Sequence, residues 1–314
     1  MSRVNESVFR YLGRCALFLI LFFSPLSLQA DISLQYIASW GGDGDNEIRL
    51  NRPQALSITP SGRIYIADTG NHQILMLDAR GKVLSRVGGL GWGKDQFDSP
   101  VAVDASNGLD VFVADYNNRR VLRYDKDLHF IASLQRQETW PEDFDLGFPV
   151  DVAISPQGEL YCIDGENNRV LKFDMEGNPL FILGDFDAGE GRLIEPSSLL
   201  MRPDRSLWVP DKGTGSVAVF DEYGNFSHHW FGHSGMVPGL FANCDAWGIA
   251  ILTQNPFQMV FMDQSEATLQ RLDLAEIPMP SLKNPVSMAY YKSRLYILDQ
   301  ASGQIHVLTV QRTR

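Results

Sequence analysis

The chain has 314 residues, 44% hydrophobic and 21% charged, with 27 Lys+Arg against 38 Asp+Glu. That hydrophobic content excludes a disordered polymer. A formal charge of −11 excludes the dense cationic face that nucleic acid or an anionic lipid surface requires.

The first thirty residues read as an export signal. Arg3, Arg10 and Arg14 precede an apolar run from Ala16 to Phe23. Ser24, Pro25 and Ser27 break the run, and Ala30-Asp31 offers a cleavage point. Eight apolar residues are too few to span a bilayer well. Leu28 stands where a small residue is preferred, so an uncleaved anchor is the alternative. The expected mature chain runs from 31 to 314, without a membrane span, in the periplasm or outside the cell. Residues 1–30 carry three basic residues and one acidic one, so their removal takes the formal charge to −13. Cys162 and Cys244 then remain. An oxidising compartment permits one disulfide, but Cys162 lies in the apolar run Leu160–Ile163 and reads as a buried thiol.

From Leu34 onward one pattern recurs: a proline, an apolar strand, a turn, a second strand ending in Asp, a turn, and a third strand ending in Asp. Pro53, Pro100, Pro149, Pro196 and Pro285 open five copies. Asp68, Asp115, Asp164, Asp211, Asp263 and Asp299 are expected to close six second strands, at separations of 47, 49, 47, 52 and 36. Asp78, Asp125, Asp174, Asp221 and Asp273 follow ten residues later. Runs such as Ile64–Ala67 and Val111–Ala114 are apolar on both sides, as a strand packed on both sheet faces must be. In Asp78-Ala79-Arg80-Gly81 and its counterparts, Asp first and Gly fourth predict a type I turn. Those carboxylates are expected to be structural.

Six copies of about 47 residues fill the mature chain and predict an all-β, six-bladed propeller. The last copy ends soon after its third strand, Gln304–Val310. Leu34–Gly41 is expected to supply its outer strand, closing the ring without open edges. Copy five is the irregular one. Gln254-Asn255-Pro256 replaces its turn, and twelve residues between Asp273 and Pro285 suggest a stunted outer strand.

Ile66-Ala67-Asp68-Thr69-Gly70-Asn71-His72-Gln73-Ile74 resembles the signature of NHL repeats, as do Ala114–Arg119 and Ile163–Arg169. The Gly-rich links Gly88–Phe97 and Gly184–Leu193 are similar too. The resemblance implies a propeller and leaves its task open.

Some secreted NHL propellers resemble the peptide-amidating lyase, which needs several histidines converging on the central channel, usually just after the opening prolines. Here those places hold Gln54, Val101, Val150, Ser197 and Val286. His228, His229 and His233 could form a zinc cluster, but read better as surface imidazoles. A lactonase-like hydrolase would hold calcium on axial carboxylates, for which Asp151, Glu195 and Asp245 are the candidates. Asp43–Glu47 lacks the full spacing of a calcium loop. There is no G-x-S-x-G and no phosphate-binding loop.

The favoured expectation is a non-catalytic module or scaffold, without a cofactor, that holds a protein, peptide or glycan on one face. That face gathers the loops that link blades and those between second and third strands. Its candidates are Arg52, Trp92, Lys94, Asp98, Trp140 and Trp247, with Glu195 beside them. Trp140 has a second reading, as a plug between blades. The alternative function is a metal-dependent hydrolase or lyase, using Ca or Zn at the mouth of the axial channel.

Overall fold

A computed structural model describes residues 31–42, 47–232, 239–244, 248–254 and 256–313. The expected export signal therefore lies outside the described residues. The first strand, β1 (Asp31–Gly41), is followed by six blades. Blade one is β2 (Ala55–Ile58), β3 (Ile64–Asp68), β4 (Gln73–Leu77) and β5 (Val83–Gly88). Blade two is β6 (Pro100–Asp104), β7 (Asp110–Asp115), β8 (Arg120–Asp125) and β9 (Phe130–Leu134). Blade three is β10 (Pro149–Ile154), β11 (Leu160–Asp164), β12 (Arg169–Phe173) and β13 (Pro179–Leu183). Blade four is β14 (Leu200–Met201), β15 (Leu207–Asp211), β16 (Ser216–Phe220) and β17 (Phe226–Trp230). Blade five is β18 (Leu240–Cys244), β19 (Gly248–Leu252), β20 (Gln258–Met262) and β21 (Thr268–Asp273). Blade six is β22 (Pro285–Tyr291), β23 (Arg294–Asp299) and β24 (Gln304–Thr313), with β1 as its outer strand.

Every sheet is a four-stranded antiparallel meander, and β1 pairs with β24 from Asp31–Thr313 to Gly41–Gln304. The ring closes as the sequence predicts. The core is divided among the seams. Among the described residues there are six buried apolar clusters, each drawn from two neighbouring blades. This explains the strands that are apolar on both sides. Along β3, Ile64 and Ile66 face blade six, while Tyr65 and Ala67 face blade two. Ile32 of β1 is fully buried in the seam between blades five and six. Cys162 and Cys244 are both buried, in different seams, and are not joined by a disulfide.

Hydrogen bonds from the inner strands lace the seams. The Ser287 hydroxyl accepts from Leu56 N at 3.1 Å, and Ser57 accepts from Ala105 N at 2.9 Å. Asp104 accepts from Ile154 N at 2.8 Å, and Asp151 from Leu199 N at 2.7 Å. The Asn243 amide donates to Met201 O at 2.7 Å. On the opposite face from the linking loops, the carbonyl just after the turn aspartate takes a donor from the blade before at four seams. Tyr65 Oη donates to Lys126 O at 2.5 Å, Arg123 to Met175 O at 2.8 Å, Lys172 to Glu222 O at 3.4 Å, and Arg202 to Gln264 O at 3.3 Å.

The turn aspartates do what their spacing predicts. Asp78 Oδ1 accepts from Arg80 N and Lys82 N, both at 2.9 Å, and Gly81 N donates to Asp78 O. Blade five corrects the register. Asp263 follows its third strand, β20, and closes a turn of the Asp78 kind rather than a second strand. Thr253 takes the place of the strand-ending aspartate, with its hydroxyl bonded to Pro256 O and Gln258 O. Asp273 ends the outer strand β21, which has six residues and is not stunted. The separations of 52 and 36 came from pairing unlike aspartates.

Ile32→Ala should lower the unfolding free energy by about 2–5 kcal/mol, because it empties a buried site in the closing strand. Ile37→Ala, exposed on the same strand, should stay within about 0.5 kcal/mol. Urea titration of both variants against the wild-type chain checks this.

Candidate functional site

The aspartates that end the second strands lie under the loop-bearing face, which we call the top. Asp68, Asp115, Asp164, Asp211 and Asp299 are almost completely buried. Donors from the linking loops, the adjacent turns and the starts of the third strands surround them. Asp68 accepts from Asn51 N, Asn71 and Gln73, all at 2.7 Å. Asp211 accepts from Ile194 N and Glu195 N at 2.8 Å, and Asp299 from Lys283 N and Asn284 N. A carboxylate that accepts several N–H groups fixes the path of the linking loop above it.

Blade two shows the device in full. Asp115 accepts from Asp98 N at 2.7 Å, from Asn118 Nδ2 at 2.8 Å and from Arg120 Nε at 2.8 Å. Burial raises the Asp115 carboxyl above the usual range, against the pull of Asn118 and Arg120. The remaining Arg120 nitrogens donate to the carbonyls of Trp92, Gly93 and Gln96 at 2.8–3.0 Å. Its guanidinium also lies 4.9 Å from the Trp92 ring centroid. One buried cation therefore shapes the whole Gly-rich link and presents Trp92, which remains 58% exposed. Leu90 on the same link is exposed as well.

A second apolar group stands on the link between blades three and four. Phe186 is 75% exposed, with Arg192 4.4 Å from its ring centroid. Phe231, 63% exposed at the end of β17, sits 5.8 Å from His229. His229 Nε2 bonds Glu190 O at 2.9 Å and Nδ1 bonds the Ser216 hydroxyl at 3.1 Å. That imidazole pins the link to the outer strand.

The structure sorts the sequence candidates as follows. Arg52 and Lys94 are exposed on top-face links, and their side chains have no partner among the described residues. Asp98 is half-buried and bound by Asn117, with His72 at 3.7 Å, so it serves its own loop. Trp140 is corrected from an exposed contact to a core residue. It is 6% exposed and packs at 5.3 Å from Phe173 and 6.3 Å from Phe144, plugging the seam between blades two and three. Trp247 and Asp245 lie outside the described residues.

Asp151 is an inner-strand girdle residue. Its oxygens accept from Val152 N at 2.9 Å and Leu199 N at 2.7 Å. Desolvation pushes its carboxyl up to about 7, helped by the negative charge of Asp104 and opposed by those two N–H bonds. Glu195 is exposed, and its backbone is engaged by Asp211 and Lys212. Among the described residues, no three of His, Cys, Asp and Glu gather as metal ligands. The described histidines lie on four blades, with His228 and His229 together on β17. His72 accepts from Ser99 N, His129 pairs with Asp125, and His228 lies 3.5 Å from Glu266. His233 lies outside the described residues. No described helix is long and apolar enough to cross a membrane.

Sequence reasoning missed two arrangements. The first is Arg120, although a signal exists: Asn stands three residues after Asp68, Asp115 and Asp164, and Gln73, Arg120 and Arg169 stand five after. The second is Ser39 Oγ with His306 Nδ1 at 2.7 Å, extended to Tyr36 Oη at 2.9 Å. Burial lowers the His306 pKa, so the ring is neutral near pH 7. Among the described residues its Nε2 is buried without a hydrogen-bond partner, so no carboxylate there holds the ring as the third member of a triad would. The pair joins β1 to β24 and no sequence motif announces it.

Comparison with known proteins places these features. The NHL repeat family model matches residues 50–75. A probable peptidyl-alpha-hydroxyglycine alpha-amidating lyase of Caenorhabditis elegans is 30% identical over 129 residues, covering 38% of this chain and 36% of that one. Human NHL repeat-containing protein 3 is 27% identical over 77 residues, covering 24% and 22%. The chain thus matches about a third or less of these relatives' lengths. A streptogramin B lyase structure superposes with a TM-score of 0.59 at 12% identity, over 91% of this chain and 87% of that one. At that identity the likeness is one of fold.

Arg120→Ala should cost about 3–5 kcal/mol, because it strands a buried carboxylate, and should loosen the Trp92 link. Denaturant unfolding and the Trp92 fluorescence environment report both. The raised Asp151 carboxyl binds a proton more readily in the folded than in the unfolded chain. Its contribution to stability is complete below the unfolded value near 4 and is lost as pH rises through about 7. Asp151→Asn should flatten that part of a stability profile measured between these limits.

Proposed function

We infer that this NHL-repeat six-bladed β-propeller is an exported binding module that holds a protein, peptide or glycan on its top face. The observation that carries the reading is the exposure of Leu90, Trp92 and Phe186 on links held rigid from below, with Phe231 exposed just after β17. Large apolar side chains presented by a preorganised frame cost little further ordering on binding. Trp ringed by polar groups is the composition of a binding hot spot. Arg52 and Lys94 add cationic character to a protein that is acidic overall, which favours an acidic partner segment.

Export rests on the basic start, the short apolar run and the break before Ala30-Asp31. Amino-terminal sequencing of protein recovered from outside the cytoplasm should begin at Asp31.

One observation favours a second reading. The amidating lyase of Caenorhabditis elegans and a mouse peptidyl-glycine alpha-amidating monooxygenase are 30% and 31% identical over about 38% of this chain. By that likeness the chain would be a lyase acting on peptides, with a metal at the axial mouth.

Two measurements separate the readings. Peptides selected from a displayed library by the purified mature protein should bind Trp92→Ala or Phe186→Ala about tenfold more weakly, the loss of one good aromatic contact. Metal analysis of the same protein, with an assay on a peptidyl-α-hydroxyglycine, tests the other. A stoichiometric ion together with turnover replaces the binding reading by the lyase.

A further inference from the structure

The seams are alike in plan but not in closure on the bottom face, opposite the linking loops. Between blades one and two, Arg63 of the inner hairpin pairs with Asp127 of the neighbouring turn at 2.5 Å and donates to Lys126 O at 2.8 Å. That ion pair bridges the seam. Between blades three and four, the corresponding residues are Glu159 and Tyr223. Glu159 turns inward to Lys172 at 2.8 Å, and Tyr223 stands 73% exposed. The seam opens there into a cleft of about 400 Å³.

The cleft has an apolar floor and wall. The buried Lys172 ammonium lies 4.8 Å from the Phe181 ring centroid and 5.1 Å from that of Tyr161. Phe181 also supports the turn that carries Tyr223. Gly224 adopts a φ of +85°, and a Cβ there would come within 2.4 Å of the Phe181 ring. The turn is therefore seated on the aromatic floor, which fixes Tyr223 at the edge. Leu180, itself exposed, completes the apolar side.

The polar groups in the cleft are already neutralised in pairs. Lys172 pairs with Glu159, and Arg205 pairs with Glu222 at 2.7 Å. A charged ligand that engages the buried Lys172 has to break its pair with Glu159, which is costly, and the exposed Arg205–Glu222 pair offers it little in return. A neutral ligand can instead use the acceptor capacity these carboxylates retain, and the Gln157 amide, which has no partner among the described residues. The site thus asks for an uncharged molecule with an apolar face to lie on Tyr223, Leu180 and Phe181, and with hydroxyl groups along its edge. A pyranose ring has that construction, with C–H bonds on its faces and O–H groups at its rim.

We propose that the bottom cleft between blades three and four is a binding site for a neutral saccharide, separate from the top face. Saturation-transfer NMR on the full chain tests it. The probes are methyl glucoside, methyl galactoside, N-acetylglucosamine and cellobiose, with glucuronate and glucosamine as charged counterparts. At least one neutral probe should receive saturation at its ring C–H protons. Tyr223→Ala and Leu180→Ser, both at exposed positions, should each weaken binding about tenfold with unfolding midpoints unchanged, while Trp92→Ala leaves it intact. The proposal is overturned if no neutral probe receives saturation. Signals that survive in both cleft variants, or a charged probe that binds more tightly than its neutral counterpart, overturn it equally.

Discussion

Each blade of this protein is a sheet with two apolar faces, and neither face can be left in water. β3, β7, β11, β15 and β19 have at most one residue that is not buried. Each sheet therefore depends on a neighbour at both sides, and a row of such sheets has no stable end. Closing the row into a ring satisfies every face at once. The closure is made by β1, which joins a segment from the start of the described chain to the final strand and brings Ile32 into the last seam. The rigidity of the top and bottom faces follows from this constraint, since the loops have a frame that cannot splay.

The same constraint explains where polar groups are buried. The strand-ending aspartates sit where the link from one blade must pass over the next, and their carboxylates organise its N–H groups. In blade two the arrangement is strengthened by Arg120, so that a single buried ion pair both stabilises the seam and displays Trp92. Blade five does without it: Thr253 fills the place, with a hydroxyl that serves only its own turn. Top and bottom faces are thus distinct. On top, networks from below hold exposed aromatic rings. On the bottom, side chains clasp the next blade's turn, and the fit varies with the residues at the seam.

Much of the fold is legible in the sequence because repetition amplifies weak local signals. One apolar run says little, whereas the recurrence of Pro, Asp and Gly at matched offsets identifies the blade and its turns. Blade five shows the limit. Asp263 and Asp273 carry the right residue type at nearly the right spacing, yet belong one strand later than their register suggests. Aspartate is favoured at more than one corner of a blade, so composition alone does not distinguish the corners. The candidate site was harder to read. Trp92 and Trp140 both lie on links between blades and both have charged neighbours. Trp92 stays outside because Arg120 holds its backbone, and Trp140 turns inward to fill space beside Phe144 and Phe173.

By itself the sequence determined the number of blades, the strand that closes the ring and the structural role of the turn aspartates, since these follow from short-range periodicity and turn chemistry. Tertiary structure alone decided which aromatic rings are exposed, that Asp151 spends its carboxylate on backbone amides, that Ser39 meets His306 across the closure, and that a cleft opens at the bottom between blades three and four. Each depends on what a neighbouring blade places opposite a side chain, and that partner lies tens to hundreds of residues away along the chain.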